Sequence, residues 1–419
     1  MNGRVENLIA KYGAAGTLRL LLRAVKCELL SRFGPGTHPG ERRLAELSDR
    51  IFAPGRGPVI LFRGSGGYDV ALFQRPQQLA RALAAKGCIV LYEASPRIDA
   101  VRGARMVIPG LWLVNLRSAS VRRMLFRRAE SGEDRPFLHI SSPERNLAPR
   151  TVERMQRRGW RAVYDYIDAI SPEISASRRV PGRTLALCSR AMEDGETLVV
   201  CSSRALLRDA QGKHKGKTAL IENGVDCAHF FRPGPCPDDA EFAAILRRGR
   251  PRLCFYGALG SWLDYGALRA LAEDGRFDIV LIGMRYDGSY DASLAGTKNV
   301  FFLGPRPYGL IKDYAARCDV MLVPFRRGAV GDAASPIKLF EYMALGKPIV
   351  AGRTEECARY KSAITALTPE EYVDAALRAL ELRGDKGYLA AERAEALAAD
   401  WSVRAEGLLR ALRDEGERS

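Results

Sequence analysis

The densest chemical signal in the chain is Ser335-Pro336-Ile337-Lys338-Leu339-Phe340-Glu341-Tyr342-Met343-Ala344-Leu345-Gly346-Lys347-Pro348. Ser335 suits an N-cap, and Pro336 suits the first helical position, where a missing N–H costs nothing. Gly346 and Pro348 stop the helix. Unpaired backbone N–H groups and the positive end of the helix dipole then collect around residues 335–338, which makes an anion site. Lys338 adds a full charge in the first turn, and Glu341 lies three residues on, on the same face. A cation beside an anion hole and a carboxylate one turn further fit a nucleoside diphosphate, with phosphates on Lys338 and the amides and ribose hydroxyls on Glu341. The same letters also fit an exposed Lys/Glu pair on an ordinary capped helix.

The other candidates follow strand-like runs, which is where open α/β sheets bind ligands. Gly64-Ser65-Gly66-Gly67 after the first run permits close approach of backbone to a phosphate or sugar, and equally a structural tight turn. Gly257-Ala258-Leu259-Gly260 carries the same two readings. His139 ends another run and suits a sugar hydroxyl contact, a proton carrier or a half-buried structural residue. Asp165 and Asp168 are three apart and fit a shared cleft; for Asp165, capping the next turn fits as well. A G-x-G-x-x-G with a distant acid, a Walker A sequence and an Asp-x-Asp motif are all missing, which disfavours NAD, NTPase and metal-bridged diphosphate readings. No metal site is expected.

Those loops need a scaffold, and the chain alternates strands and helices to supply one. Strand-like runs fall at 59–62, 88–92, 112–114, 137–140, 162–165, 198–201 and 218–221, and a second block at 252–256, 278–282, 300–303, 320–323 and 348–351. Continuous apolar strands between helices predict parallel sheets covered on both faces. The expected fold class is α/β: two Rossmann-like domains facing a central cleft, with an N-terminal amphipathic helical extension. The expected divisions are 1–54 for the extension, 55–237 and 238–385 for the two domains, and 386–419 for helices that pack back on the first domain.

The 419 residues are 47% hydrophobic and 27% charged, a globular composition. No apolar run reaches the length of a membrane span, and Arg19, Arg23 and Lys26 interrupt the leucines that a signal peptide needs. Nine scattered cysteines without C-x-x-C spacing read as reduced thiols of a cytosolic protein. A net charge of +16 fits a phosphorylated substrate or an anionic membrane; no basic, aromatic-interleaved motif points to nucleic acid. Leu18, Leu22, Val25 and Leu29 keep helical spacing, so this basic helix lies either on an anionic membrane or against the protein body.

Four further segments place the chain. Gln74-Arg75-Pro76-Gln77-Gln78-Leu79-Ala80, Val163-Tyr164-Asp165-Tyr166-Ile167-Asp168, Ile221-Glu222-Asn223-Gly224-Val225-Asp226 and Asn299-Val300-Phe301-Phe302-Leu303-Gly304, with the 335–348 helix, resemble the bacterial group-1 type (family 4-like) glycosyltransferases of GT-B fold. The resemblance runs from about residue 59 to about 356. It implies transfer from a nucleoside-diphosphate sugar, UDP- or GDP- above others, to a lipid-linked or growing surface glycan such as lipopolysaccharide, capsule or exopolysaccharide. It implies retention of configuration without a metal or other cofactor, in the cytoplasm or at the inner membrane face.

By the same resemblance, Lys338 meets the diphosphate and Glu341 the ribose. Gly304, Arg306 and Tyr308 line the base pocket. Gly66, Gly67, Gly257, Gly283, Ser335 and Pro336 surround the phosphates, and His139, Asp165 and Asp168 face sugar or acceptor as catalytic candidates. Two departures stand out. Ala333 occupies the position of a second family glutamate, and Ser261-Trp262-Leu263-Asp264 lacks a family lysine, for which Arg285 or Arg306 would have to substitute. A nucleotide-sugar 2-epimerase or hydrolase, and a non-catalytic glycan-binding scaffold, are the competing readings.

Overall fold

A computed structural model describes residues 3–33, 40–52, 57–64, 66–70, 73–142, 144, 146–174 and 179–413. Two sheets organise it. The first contains β1 (Val59–Arg63), β2 (Ile89–Glu93), β3 (Ala104–Ile108), β4 (Leu111–Val114), β5 (Phe137–Ser141), β6 (Arg161–Tyr166), β7 (Leu198–Cys201) and β8 (Thr218–Leu220). Their order is β3-β4-β2-β1-β5-β6-β7-β8, parallel except for the β3–β4 pair. The second contains β9 (Arg252–Leu259), β10 (Asp278–Arg285), β11 (Val300–Gly304), β12 (Val320–Val323), β13 (Ile349–Gly352) and β14 (Ala363–Ala366). Its order is β11-β10-β9-β12-β13-β14, parallel throughout.

Both orders reverse direction at the first strand of the domain, β1 and β9. The crevice at such a switch point is where these sheets take ligands. Strands β4 and β7 are apolar and buried from end to end, as two-sided helical cover requires. Gly283 shows why β9 and β10 run past the usual strand length. Its φ is +147°, and a Cβ there would lie 1.8 Å from the Gly257 carbonyl oxygen, so only glycine lets the two backbones meet beside the cleft.

Of the last two helices, Lys386–Ala398 stays with the second domain and packs on the helix Ile337–Leu345. Trp401–Arg413 crosses to the first domain, where Ala405, Leu408 and Leu412 share a core with Ile60, Phe62 and Val90. The expectation that the whole segment 386–419 packs back is thus corrected to its final helix, because that helix alone presents an apolar stripe to helix Arg75–Ala85; residues 414–419 lie outside the described ones. All nine cysteines are free thiols.

The N-terminal helix spans Gly3–Phe33. Its polar side meets the body: Arg23 donates to the Asp69 carbonyl, Glu28 pairs with Arg117 at 2.6 Å, and Asn115 donates to the Ser31 carbonyl. Leu18, Leu22, Val25, Leu29 and Phe33 are 53–76% exposed. The apolar face therefore points outward, the reverse of a helix that buries its hydrophobic stripe on its own protein. Among the described residues no helix is long and apolar enough to cross a membrane.

Candidate functional site

The helix that carries Lys338 starts one residue later than its sequence suggests. It spans Ile337–Leu345, with Pro336 in the N-cap place at ψ 112° and no side chain capping the first turn. Ser335 does not cap it, because its hydroxyl and carbonyl oxygens accept from the Asn223 backbone N–H (3.3 Å) and side-chain amide (2.6 Å). The Ile337 and Lys338 amides consequently remain available to a ligand, while the Leu339 N–H donates to the Pro336 carbonyl at 3.1 Å. Gly346 ends the helix at φ +63°, as expected of a left-handed C-cap.

Lys338 and Glu341 are not a surface pair. Lys338 is 8% exposed and Glu341 1%. Lys338 Nζ lies 3.4 Å from Glu341 Oε2 and 5.3 Å from the centre of the Tyr256 ring. Tyr256 donates to Glu341 Oε2 at 2.9 Å and Tyr308 to Oε1 at 3.1 Å. Burial first, then the Glu341 charge, raises both phenols well above their ordinary value, so both keep the proton they donate. Gln78 of the first domain donates to the Tyr308 oxygen at 2.9 Å, which ties Glu341 to both halves of the molecule.

A cavity of about 440 Å³ opens in front of this helix. The second domain contributes Gly257, Trp262, Tyr286, Ser335, Pro336 and Lys338; the first contributes Gln74, Arg75, Asp168 and Asn223. Trp262 comes from the segment Ser261-Trp262-Leu263-Asp264, which lacks the lysine of the family pattern, so this part of the wall is aromatic.

Arg75 forms the opposite wall and is held from behind. Its Nε and Nη2 reach Asp165 at 2.9–3.0 Å, and Nη1 donates to the Glu222 carbonyl at 3.1 Å and to Asn223 Oδ1 at 3.3 Å. His139 Nε2 is 3.3 Å from Asp165 Oδ2, and its ring stacks on Phe62 at 4.2 Å. Burial alone would raise the Asp165 pKa; Arg75 and His139 instead hold it down, to about 2. The first-domain segments 74–80, 163–168 and 221–226 thus converge into one relay, Asp165 to Arg75 to Asn223 to Ser335, that ends at the start of the Lys338 helix.

That geometry corrects two catalytic expectations. His139 (1% exposed) and Asp165 (fully buried) do not line the cavity; they sit beneath Arg75. Asp168 does line it, and no hydrogen bond or ion pair engages its carboxylate among the described residues. Protein packed around it and the charge of Asp165 push its pKa up, to about 6, with Arg75 opposing. Its side chain remains open to cleft water, which tempers the effect of burial, and the upward direction follows from the like charge beside it.

The remaining expectations divide. Gly257 lines the cavity, while Gly283 supports it through the close strand approach described above. Gly66, at φ +80°, belongs to a neighbouring first-domain cavity of about 430 Å³ over the ends of β1, β2 and β4. Gly67 is structural: a Cβ would strike Ile98, and its carbonyl accepts from Gln77 at 2.7 Å. Gly304 turns the end of β11 at φ +71°. Arg306 is no phosphate ligand here, since Asp239 (2.7 Å), Tyr314 (3.2 Å) and the Leu303 carbonyl occupy its guanidinium. Arg285 likewise pairs with Asp291 at 2.8 Å and covers Phe302. Tyr308 is sandwiched between Phe73 and His229 rather than free to stack a base. Ala333 is buried against the first-domain core, and its carbonyl accepts from Ser203 at 2.8 Å, so a glutamate there would point into packed side chains.

Arg75 and Asn223, like Gln74 and Tyr286, are cavity residues with no role assigned from the sequence. A proline directly after Arg75 at a helix start, and the Asn223-Gly224 turn, were the available signals.

Comparison with known proteins agrees with this fold. Residues 251–382, within the second domain, match the family model "Glycosyl transferases group 1". The chain is 24% identical over 218 residues to a protein described as a teichuronic acid biosynthesis glycosyltransferase, TuaH of Bacillus subtilis (strain 168). That match covers 49% of this chain and 53% of the relative, so the chain spans about half the length of the curated relative it matches. Among solved structures, sucrose-phosphate synthase of Thermosynechococcus elongatus superposes with a TM-score of 0.60 at 16% identity, over 87% of this chain and 100% of that one. Anabaena HepE, solved with UDP and glucose, superposes at 0.52 and 17% identity, over 85% and 99%. The trehalose 6-phosphate synthase of Burkholderia multivorans superposes at 0.58 and 14%, over 86% and 99%. The fold is GT-B.

Proposed function

We propose that the chain is a glycosyltransferase that moves a sugar from a nucleoside-diphosphate sugar, UDP- or GDP-linked, to a lipid-linked or growing surface glycan. The observation that carries this reading is the uncapped start of helix Ile337–Leu345 with Lys338 beside it, facing a cavity of about 440 Å³ between two domains. Amides, dipole and ammonium group together match a diphosphate. The teichuronic acid relative and the UDP-bound neighbour support the same substrate class.

In the proposed reaction the bond from the anomeric carbon to the diphosphate oxygen breaks and one to the acceptor oxygen forms. The departing diphosphate gains negative charge, which Lys338 and the first-turn amides stabilise in a site already oriented for it. The buried Arg75–Asp165 pair carries little net charge and fixes Asn223 and Ser335, so the helix start is preorganised. Glu341 is buried behind the cavity wall, and it receives a ribose hydroxyl only once that hydroxyl replaces the Tyr308 phenol on Oε1. Asp168 is the cavity carboxylate free to bind a sugar or acceptor hydroxyl and to carry its proton. Retention of configuration without a bound metal is part of the proposal and rests on the family resemblance.

The outward apolar face of helix Gly3–Phe33, with a chain charge of +16, supports peripheral attachment to an anionic membrane. Leu22→Asp with Leu29→Asp should release the chain from anionic vesicles.

The deciding experiment incubates the purified chain with UDP-, GDP-, ADP- and dTDP-sugars and reads thermal shift and free nucleotide. Stabilisation by one nucleotide class and nucleotide release that rises with acceptor extract support transfer. Release or epimer formation independent of acceptor would favour the hydrolase or epimerase; silence with every nucleotide would sink the reading.

A further inference from the structure

The first domain holds a further cavity, rimmed by arginines, that the donor reading does not use. It has a volume of about 510 Å³ and is walled by Arg63, Arg122, Arg123, Arg127, Arg154 and Arg158, with no carboxylate in its lining. Helices Ala119–Glu130 and Pro149–Gln156 supply most of these side chains. Arg63 is paired with Glu93 at 3.2 Å and Arg158 with Glu130 at 2.7 Å. Arg122 donates to the Leu116 carbonyl. Arg123, Arg127 and Arg154 have no ion-pair partner among the described residues and are exposed.

Like charges a helical turn apart, as in Arg123 and Arg127, destabilise a helix by a few tenths of a kcal/mol. Nothing in the cavity offsets that. The planar guanidinium fork suits phosphoryl oxygens, and several forks around one concavity suit a diphosphate.

Position gives the cavity a role. Arg63 lines it and also lines the neighbouring cavity of about 430 Å³ that includes Gly64 and Gly66 at the carboxyl end of β1. Arg117 lines that second cavity and pairs with Glu28 of the N-terminal helix, whose leucines face outward. Arginine cavity, loop cavity and apolar helix face are therefore neighbours on one side of the first domain. We propose that the arginine cavity seats the diphosphate of a lipid-linked acceptor, with its hydrocarbon tail directed toward the N-terminal helix. This rests on the transferase reading but concerns the acceptor side alone.

The test uses the full chain carrying Lys338→Ala, so that donor-site binding of phosphates does not contribute. Inorganic pyrophosphate, farnesyl diphosphate and farnesol are titrated by calorimetry into it, and into the same chain with Arg123→Ser, Arg127→Ser and Arg154→Ser. Farnesyl diphosphate should bind more tightly than pyrophosphate, and both should weaken at least about tenfold on loss of the arginines, while farnesol is unaffected. Lysine at the three positions, which keeps the charge, should recover part of the loss.

Pyrophosphate binding that is absent, or unchanged within about twofold by the serine variant, would overturn the proposal. Equal affinity for pyrophosphate and farnesyl diphosphate would overturn the lipid-linked source. UDP titrated into the chain with native Lys338, with and without the three serines, separates the two readings. Equal UDP affinity shows that the serine variant is folded; GDP takes its place where UDP does not bind, and binding of neither refutes the donor site and leaves the phosphate result standing.

Discussion

Arg75→Met tests whether the buried relay behind the cleft is what holds the site together. Arg75 and Asp165 are 2% and 0% exposed, and the carboxylate meets three guanidinium contacts of 2.9–3.0 Å. Holding the Asp165 pKa at about 2 instead of 3.8 is worth on the order of 2 kcal/mol of stability. Because the folded value is depressed, that stability is present above 3.8 and is lost as the pH falls through about 2. Removing Arg75 leaves burial as the dominant influence, opposed by His139 alone, and the sign inverts: the folded pKa rises above its unfolded value, and the carboxylate destabilises the fold as it ionises.

Breaking a buried pair by deleting one partner typically costs about 3–5 kcal/mol. Urea unfolding followed by tryptophan fluorescence reports on this directly, since Trp112 and Trp160 lie in the first-domain core. The loss should be near that size at pH 7.5 and shrink toward pH 4.5. Arg75→Met with Asp165→Leu should recover at least half of it, without restoring nucleotide affinity, because Asn223 and the Glu222 carbonyl still lack their donor. A loss under about 1 kcal/mol, or one that ignores pH, would refute the argument.

Three shorter expectations follow from the same geometry. Lys338→Ala should weaken nucleotide binding at least about tenfold and lower kcat/KM more, since the lost charge acts most strongly on the departing diphosphate; direct titration and steady-state rates check it. Asp168→Asn should abolish the acid limb that its raised carboxyl pKa gives the rate profile, and leave UDP affinity unchanged. Glu392, buried in helix Lys386–Ala398, has its pKa pushed up by burial from 4.5 to about 9. Its stability contribution is full below 4.5 and lost through about 9, so Glu392→Gln should become progressively more stable than wild type over that window in pH-dependent melting.

The sequence by itself determined the α/β alternation, the parallel sheets and the helix that begins beside Pro336, because these follow from local signals: apolar runs, glycine stops and a proline at a helix start. It missed β3, whose Arg105 and Met106 lie on an exposed antiparallel edge, and β14, a second-sheet edge strand with no fully apolar run. Edge strands lack the two-sided burial that makes an inner strand readable.

The ends of long-range contacts were decided only by the tertiary structure. Nothing local to Asp165 says whether it faces a sugar or an arginine ninety residues upstream, and nothing in the Arg306 neighbourhood announces Asp239. Nor does helical spacing say which face of the N-terminal helix meets the body. Side-chain type limits what a residue can do, but burial and partner choice depend on how separate segments are brought together. That is why the Lys338 helix could be located from its letters, while Asp165, His139 and Arg306 took their places only in the folded chain.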